Sequence, residues 1–392
     1  MTSTLQDMKH TIRTAFGDST DSYGGEAWTM PLPPQGIYQG NGVGPTAWLI
    51  ISSNLLNIMR QLGYVAFYKT ALSGDTLEIA GFLYMDDTDL TQSQMPTVTT
   101  AEEVLEKIQE GLNTWEGLVK ASEGALSNGK SCWWYVDFSF DHKGDWRYKK
   151  MEELEGEPIA INIDGTRKTL KRLEVNESFE TLGVQLNPIG NDTAVFNDMQ
   201  KWAKNWSQQI KKSTLKDHEA HTARNVTIRK KLEYPLVAVT LTRKQCDKVM
   251  STLLTTSLPK AGYNCNFLRK ALHGPPSLMG RGVLHIYATT VAKHVQEMMI
   301  EAPHNSPSGQ LIRTSIEQAK LELGLEGRLF DHDFKAVGHL IIECWIKSVW
   351  KESTEYGLRI IKQTVSLKPE CEGDKMLMEA FMHNGFKGKR TP

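Results

Sequence analysis

Asp86 and Asp87 are the residues whose types and spacing most clearly offer chemistry. They follow a short apolar run, Ala80-Gly81-Phe82-Leu83-Tyr84-Met85, and Asp89 comes two residues later. Adjacent carboxylates repel each other, and crowding them without a cation is costly. A hard divalent cation resolves that conflict. Mg²⁺ takes one or two carboxylates and keeps its other positions for water and phosphate oxygens. The competing reading is an ordinary acidic turn, because Asp is common in turns.

Other groups carry weaker signals. Between residues 201 and 231 lie Lys201, Lys204, Lys211, Lys212, Lys216, Arg224, Arg229, Lys230 and Lys231, with Trp202 and Trp206 among them and only Asp217 and Glu219 opposing. This is either a surface that tracks a nucleic-acid backbone or a solvated helix face. His218 with His221, and His332 between Asp331 and Asp333, lack a third ligand at a diagnostic spacing and read as surface histidines. There is no Ser-His-Asp elbow, no P-loop and no dinucleotide fingerprint.

The chain has 392 residues, 45 basic and 46 acidic, for a net charge of -1. That balance excludes a globally basic nucleic-acid binder but leaves room for a local basic patch. Five widely spaced cysteines, with no Cys-X-X-Cys, indicate neither a disulfide framework nor a cysteine-rich zinc site. A reducing compartment fits, so the expected location is intracellular, in nucleus or cytoplasm. The N-terminal stretch has no apolar core of signal-peptide type, and the apolar windows near 47–67 and 337–350 are broken by polar and charged residues. No membrane is expected as a partner.

The elements that must position Asp86 and Asp87 can be read from periodicity. Thr46–Leu62 repeats apolar residues at helical steps through Trp48, Ile51, Leu55 and Met59. Tyr64–Thr70 reads as a strand, and Ala80–Tyr84 as the strand that delivers the acids. After a polar loop, Thr91–Thr99, the pair Thr100 and Glu103 has capping-box spacing. Val104, Leu105, Ile108, Leu112, Trp115 and Val119 then form one stripe of a helix over 101–122. From Trp133 the period becomes two. Strands are expected around Trp133–Phe140 and Trp146–Tyr148, a second hairpin over Ile159–Leu173, and a single short strand over Thr181–Leu186. Beyond about 192 helices dominate: Phe196–Lys211, Arg243–Thr255, Gly282–Met299, Ser308–Leu323 and Phe334–Trp350. A boundary near 190 divides the chain into 1–190 and 191–392.

Taken together these segments resemble the reverse transcriptases. Tyr84-Met85-Asp86-Asp87 resembles their Tyr-X-Asp-Asp motif. Gln39-Gly40-Asn41-Gly42-Val43-Gly44-Pro45 before a helix resembles the Gln-Gly turn of motif B. The helix 101–122 with Gly124-Ala125-Leu126 and Lys130 resembles motif D, and Thr181-Leu182-Gly183-Val184 resembles the primer grip. The order is the family's. The Gln-Gly-Asn-Gly variant, Leu258-Pro259-Lys260 and Gly274-Pro275 are similar to the non-LTR retrotransposon type.

The resemblance implies an α+β fold: a polymerase palm, an antiparallel sheet backed by helices, followed by a mainly helical thumb and connection region. It implies RNA-directed DNA polymerase activity by two-metal nucleotidyl transfer, the ions about 4 Å apart. By resemblance Asp86 and Asp87 hold Mg²⁺ or Mn²⁺. Gln39, Gly40, Asn41, Gly42, Tyr84 and Met85 bind nucleotide and template. Lys130 contacts phosphate and protonates the pyrophosphate leaving group. Leu182, Gly183 and Val184 grip the primer, and Asp89 is structural. The implied partners are an RNA or DNA template-primer and a dNTP.

The sequence departs from the family at one point. Motif A supplies a further carboxylate from an apolar strand well before the Gln-Gly turn. Only 38 residues precede Gln39, and neither Asp7 nor Asp18 follows an apolar β-run. The expectation is therefore a partial palm without fingers or motif A, catalytically incomplete. The alternative is a non-enzymatic nucleic-acid-binding remnant of a retroelement.

Overall fold

A computed structural model of the chain describes residues 9–10, 13–14, 17–18, 20, 23–24, 44–70, 72–84, 87–93, 100–122, 124–154, 156–163, 165–361, 365 and 371–383. It is α+β: helices with small two-stranded antiparallel sheets between them. The chain divides into two compact units, and it passes between them several times. One unit comprises Met1–Ala66, Glu78–Trp133 and Leu154–Arg172. The other comprises Phe67–Leu77, Trp134–Glu153 and Leu173–Pro392.

The first unit opens with four two-residue strands: β1 (Lys9–His10), β2 (Arg13–Thr14), β3 (Gly17–Asp18) and β4 (Tyr23–Gly24). β1 pairs with β4 and β2 with β3, which sets Asp18 opposite Arg13. Asp18 thus lies in a short strand, where a loop is expected from its Gly-Asp-Ser-Thr context. Helix α1 (Gly44–Gln61) follows and buries Ser52, Leu55 and Met59, close to the expected Thr46–Leu62. Strands β5 (Ala66–Lys69) and β6 (Thr76–Ile79) come next, each divided between the two units, and the second of them is absent from the sequence reading.

The hairpin of β7 (Gly81–Tyr84) and β8 (Asp87–Leu90) is the feature that carries the acids. Its partners are Gly81↔Leu90, Phe82↔Asp89, Leu83↔Thr88 and Tyr84↔Asp87. Alternation then sorts the two faces. Leu83 and Leu90 turn to a core of Leu55, Met59, Val65, Ala80 and Trp115, with Tyr64 and Leu118 at its margin. Phe82 and Tyr84 are exposed on the other face. The strand return through Asp87–Leu90 corrects the expectation of a strand that simply ends in acids. Asp-Thr-Asp-Leu has poor β-propensity, but the packing of Leu90 and the bond from Thr91 Oγ1 to the Ile79 carbonyl (2.8 Å) hold it extended.

Helix α2 (Ala101–Ala121) begins as the spacing predicts. The Glu103 amide donates to Thr100 Oγ1 at 3.2 Å, and the Thr100 amide donates to Glu103 Oε2 at 3.1 Å. Trp115 from its stripe is buried against α1. On another face, Gln109 meets the hairpin of β9 (Ala160–Ile163) and β10 (Thr166–Thr169). Gln109 Nε2 donates to the Ala160 carbonyl at 2.7 Å while the Ala160 amide donates to Gln109 Oε1 at 2.8 Å. The side-chain amide pairs with the strand edge as a neighbouring strand would.

The second unit is mainly helical. Its hairpin β11 (Phe179–Thr181) and β12 (Val184–Leu186) replaces the single strand expected over Thr181–Leu186. The turn is Leu182-Gly183, with φ of 52° and 75°. Positive φ at both central residues is the turn geometry that matches strand twist in a two-residue hairpin. Behind it lie α3 (Thr193–Lys212), α4 (Asp217–Ala223), α5 (Arg229–Glu233), α6 (Arg243–Lys260) and α7 (Ile286–Glu301). Val195, Met199, Ala203, Trp206 and Ile210 of α3 pack on Cys246, Val249, Leu253 and Leu254 of α6. Burial pushes the Cys246 thiol up to about 12, which leaves it a packing residue.

A second cluster joins α8 (Pro307–Leu323) to α9 (Trp345–Glu355) through Ile316, Leu323, Ile346 and Trp350. The long helix expected over Phe334–Trp350 is broken. Only Phe334–Val337 is α-helical before a tight turn at Gly338–Leu340, and α9 starts at Trp345. A Cβ on Gly338 would collide with the Phe334 ring, so the close packing of that ring on the turn depends on glycine. Two buried polar contacts tie helices of this unit, one to another helix and one to the loop at Leu72–Ser73. His294 is fully buried, its Nε2 donating to the Leu236 carbonyl at 2.8 Å and its Nδ1 facing Glu352 Oε2 at 2.8 Å. Buried Glu317 of α8 accepts from the Leu72 amide at 2.7 Å and from Ser73 Oγ at 3.0 Å.

Candidate functional site: the Tyr84–Asp87 turn

The β7–β8 register fixes what can be said of the acidic turn. Tyr84 and Asp87 are cross-strand partners, and Asp87 begins the return strand. Met85 and Asp86 lie outside the described residues, as do Gln39, Gly40, Asn41 and Gly42. Tyr84, with 59% of its surface exposed, shares the solvent face with Phe82, and alternation puts Asp87 and Asp89 on that same face. Among the described residues no third strand pairs with the hairpin.

Electrostatics at this face are one-sided. Asp89 is an exposed residue whose carboxyl is nevertheless crowded by protein. That crowding raises it above the ordinary carboxylate range, and the charge of Asp87 raises it further. Among the described residues neither Asp87 nor Asp89 has an ion-pair partner. Carboxylate oxygens without a protein cation suit a hard divalent ion such as Mg²⁺ or Mn²⁺. Among the described residues no group of three or more His, Cys, Asp or Glu side chains is arranged to hold a metal.

Gly81 sets the spacing of the strands. A Cβ there would run into the Asp89 carbonyl oxygen and come within 3.1 Å of Leu90 Cα. The hairpin therefore needs glycine at its base to keep Asp87 and Asp89 on the return strand in register.

The remaining sequence-nominated residues are placed as follows. Lys130 ends a short 3₁₀ turn, Asn128–Lys130, with its side chain exposed and no ion-pair partner among the described residues. Leu182 and Gly183 form the tip of β11–β12, and Val184 is buried beside Val195 and Met199. They belong to the second unit and the acidic hairpin to the first. In the basic stretch, Trp206 is buried and donates from Nε1 to Thr227 Oγ1 at 3.0 Å. Trp202 is half-buried, with Lys231 Nζ 4.5 Å above its ring. The tryptophans thus serve the helix packing, and the solvent-facing part of this stretch is Lys201, Lys204, Lys211 and Lys212 along α3, with Lys216, Lys230 and Lys231 beyond it.

His332 departs from the surface-histidine reading. It is half-buried, its Nε2 2.8 Å from the Glu326 carbonyl and 3.3 Å from Lys320 Nζ. Burial, and then the Lys320 charge, hold it below the usual histidine range. Lys320 itself is fully buried and its ammonium is lowered to about 8, by desolvation. A lysine on an amphipathic helix gives no such signal in sequence; only the packing of the Glu326 turn over it does. No family model matches the chain, and no curated protein matches it.

Proposed function

We propose that the chain is a reverse-transcriptase-like module whose chemistry is template-directed nucleotidyl transfer by two metal ions, and that its metal centre is catalytically incomplete. One observation carries this reading: Tyr84 and Asp87, the two described residues of Tyr84-Met85-Asp86-Asp87, pair across a two-stranded antiparallel hairpin, one face of which packs on two helices and the other of which is open. A nucleotidyl-transfer centre needs carboxylates at a rigid turn, reachable by a primer terminus and a triphosphate. Asp86 and Asp87 would hold Mg²⁺ or Mn²⁺, which when bound activates the primer hydroxyl and neutralises the leaving pyrophosphate. Tyr84 would offer a ring to the primer or incoming nucleotide. Gln39, Gly40, Asn41 and Gly42 would approach the template base, Lys130 would meet phosphate, and Leu182-Gly183-Val184 would touch the primer backbone. The open face of the hairpin and the unpaired Asp87 and Asp89 support a metal and nucleic-acid role over an ordinary acidic turn.

The exposed lysine row of α3 favours a second reading that shares the ligand: nucleic-acid binding without catalysis. Primer extension on an RNA template with Mn²⁺ separates the two. The expected result is salt-dependent retention of primer–template with only trace extension, and that trace is lost in Asp86→Asn. Extension that survives Asp86→Asn would overturn the assignment. Failure to bind primer–template at low salt would overturn both readings.

A further inference from the structure

Arg224, in the second unit, is a buried charge with no carboxylate partner among the described residues. It is 7% exposed, and burying a guanidinium without a counter-charge is costly. Its only hydrogen-bonding partner among the described residues is a neutral-capable ring nitrogen, His221 Nδ1 at 3.1 Å. The nearest charge with a resolved influence on it is Arg229, of the same sign. Burial first, and Arg229 second, pull the Arg224 guanidinium down to about 10.

The backbone is unusual at the same place. Residues Arg224–Ile228 form a π turn between α4 and α5, with the Arg229 amide donating to the Arg224 carbonyl. In a regular α-helix, residues five apart point about 140° from each other. The widened turn brings 224 and 229 nearly into line, so both guanidinium groups reach one face. Single π turns of this kind are rare and concentrate at functional sites.

That face borders a cleft of about 30 Å³ floored by Met250, Leu253 and Ile286. One or two waters fill such a space, and so does a compact oxyanion group. Arg229 spends its Nε on Glu233, and its terminal nitrogens have no hydrogen-bond partner among the described residues. The cleft is therefore lined by the Arg229–Glu233 ion pair and by Arg224, which has no carboxylate partner among the described residues, with the terminal nitrogens of Arg229 left over as donors above an apolar floor. Planar guanidinium forks match a tetrahedral oxyanion in geometry and charge.

We infer that the cleft beside the π turn is a phosphate-binding site anchored by Arg224, with Arg229 as its second donor. The phosphate group can arrive free in solution or within a polynucleotide backbone, and both present the same oxygens. The cleft lies wholly within the second unit, and its assignment does not depend on the acidic hairpin.

The test is thermal unfolding of the full chain at constant ionic strength with increasing inorganic phosphate, with acetate as control, and in parallel with a single-stranded oligonucleotide. Three proteins are compared: wild type, Arg224→Met and Arg224→Lys. The wild-type midpoint is expected to rise and saturate with phosphate or with the oligonucleotide, but not with acetate. A response to the oligonucleotide alone identifies the polynucleotide as the source. Arg224→Met is expected to be at least as stable as wild type without ligand, since it removes a buried unpaired charge, and to lose the response. Arg224→Lys keeps the charge without the fork, and its apparent affinity falls about tenfold or more. Equal responses in wild type and both variants, an acetate effect matching that of phosphate, or no response of wild type to either probe would each overturn the site.

Discussion

Asp89 and Lys320 show how the protein crowded around a charged group, rather than residue type, sets the cost of its charge. The Asp89 carboxyl is raised in the folded state, so the folded chain holds its proton to higher pH than the unfolded chain does. Stability linked to this group is therefore present at low pH and is lost as pH rises through the raised value. Asp89→Asn is expected to stabilise the chain at pH 7 and to have no effect once pH falls below the unfolded carboxylate range. Denaturant midpoints measured from pH 3 to 7 check this. Lys320 has the opposite charge and a lowered value of about 8, against 10.5 in the unfolded chain. Between those values the unfolded chain binds more protons, so stability rises with pH. Wild type is expected to gain stability from pH 8 to 10 relative to Lys320→Met, and a parallel pH dependence in the two would contradict it. Neither shift is visible in the sequence. Asp89 reads there as one more acid in a turn, and Lys320 as one more solvated lysine on an amphipathic helix.

At the scale of elements, much of the site's support is legible because local chemistry and packing agree. Thr100 and Glu103 announce α2 by their spacing, and the cap forms with the bonds that spacing requires. The apolar steps of α1 and α2 likewise become the core behind β7–β8. The misreadings have a common cause in contacts that come from elsewhere in the chain. Asp87–Leu90 is extended because Leu90 packs and Thr91 bonds back to Ile79, against its own propensity. The Phe334–Trp350 periodicity is real on both sides of Gly338, but the chain tightens into a 3₁₀ turn over Gly338–Leu340 and the helix does not resume until Trp345. Leu182-Gly183 reads as part of a strand because hydrophobicity continues through it, while its backbone turns with positive φ. Gly81 offers the sharpest test at this scale. Gly81→Ala places a methyl against the Asp89 carbonyl, so the hairpin must spread. The expected loss is about 1–3 kcal/mol of stability, as for overpacking elsewhere, with Tyr84 and Asp87 drawn out of register. Urea unfolding together with amide exchange across residues 81–90 measures both.

For the whole molecule, composition anticipates the class and little of the assembly. The α+β character follows from the change in period along the chain, and the structure bears it out. Among the described residues no helix is long and apolar enough to cross a membrane. The division into two units threads segments 67–77 and 134–153 into the same unit as 173–392. Such long-range association leaves no mark in local composition. The proposed function rests on one small element of the first unit, the hairpin in which Tyr84 and Asp87 pair, and its central claim is that Asp86 and Asp87 bind a divalent metal. Mn²⁺ titration of the full chain, followed by electron paramagnetic resonance at pH 7 in wild type, Asp86→Asn and Asp87→Asn, tests it most directly. The account predicts that each substitution weakens the tightest Mn²⁺ site by about tenfold or more, as loss of one carboxylate ligand should. Unchanged Mn²⁺ affinity in both variants would contradict it and return the turn to an ordinary acidic loop.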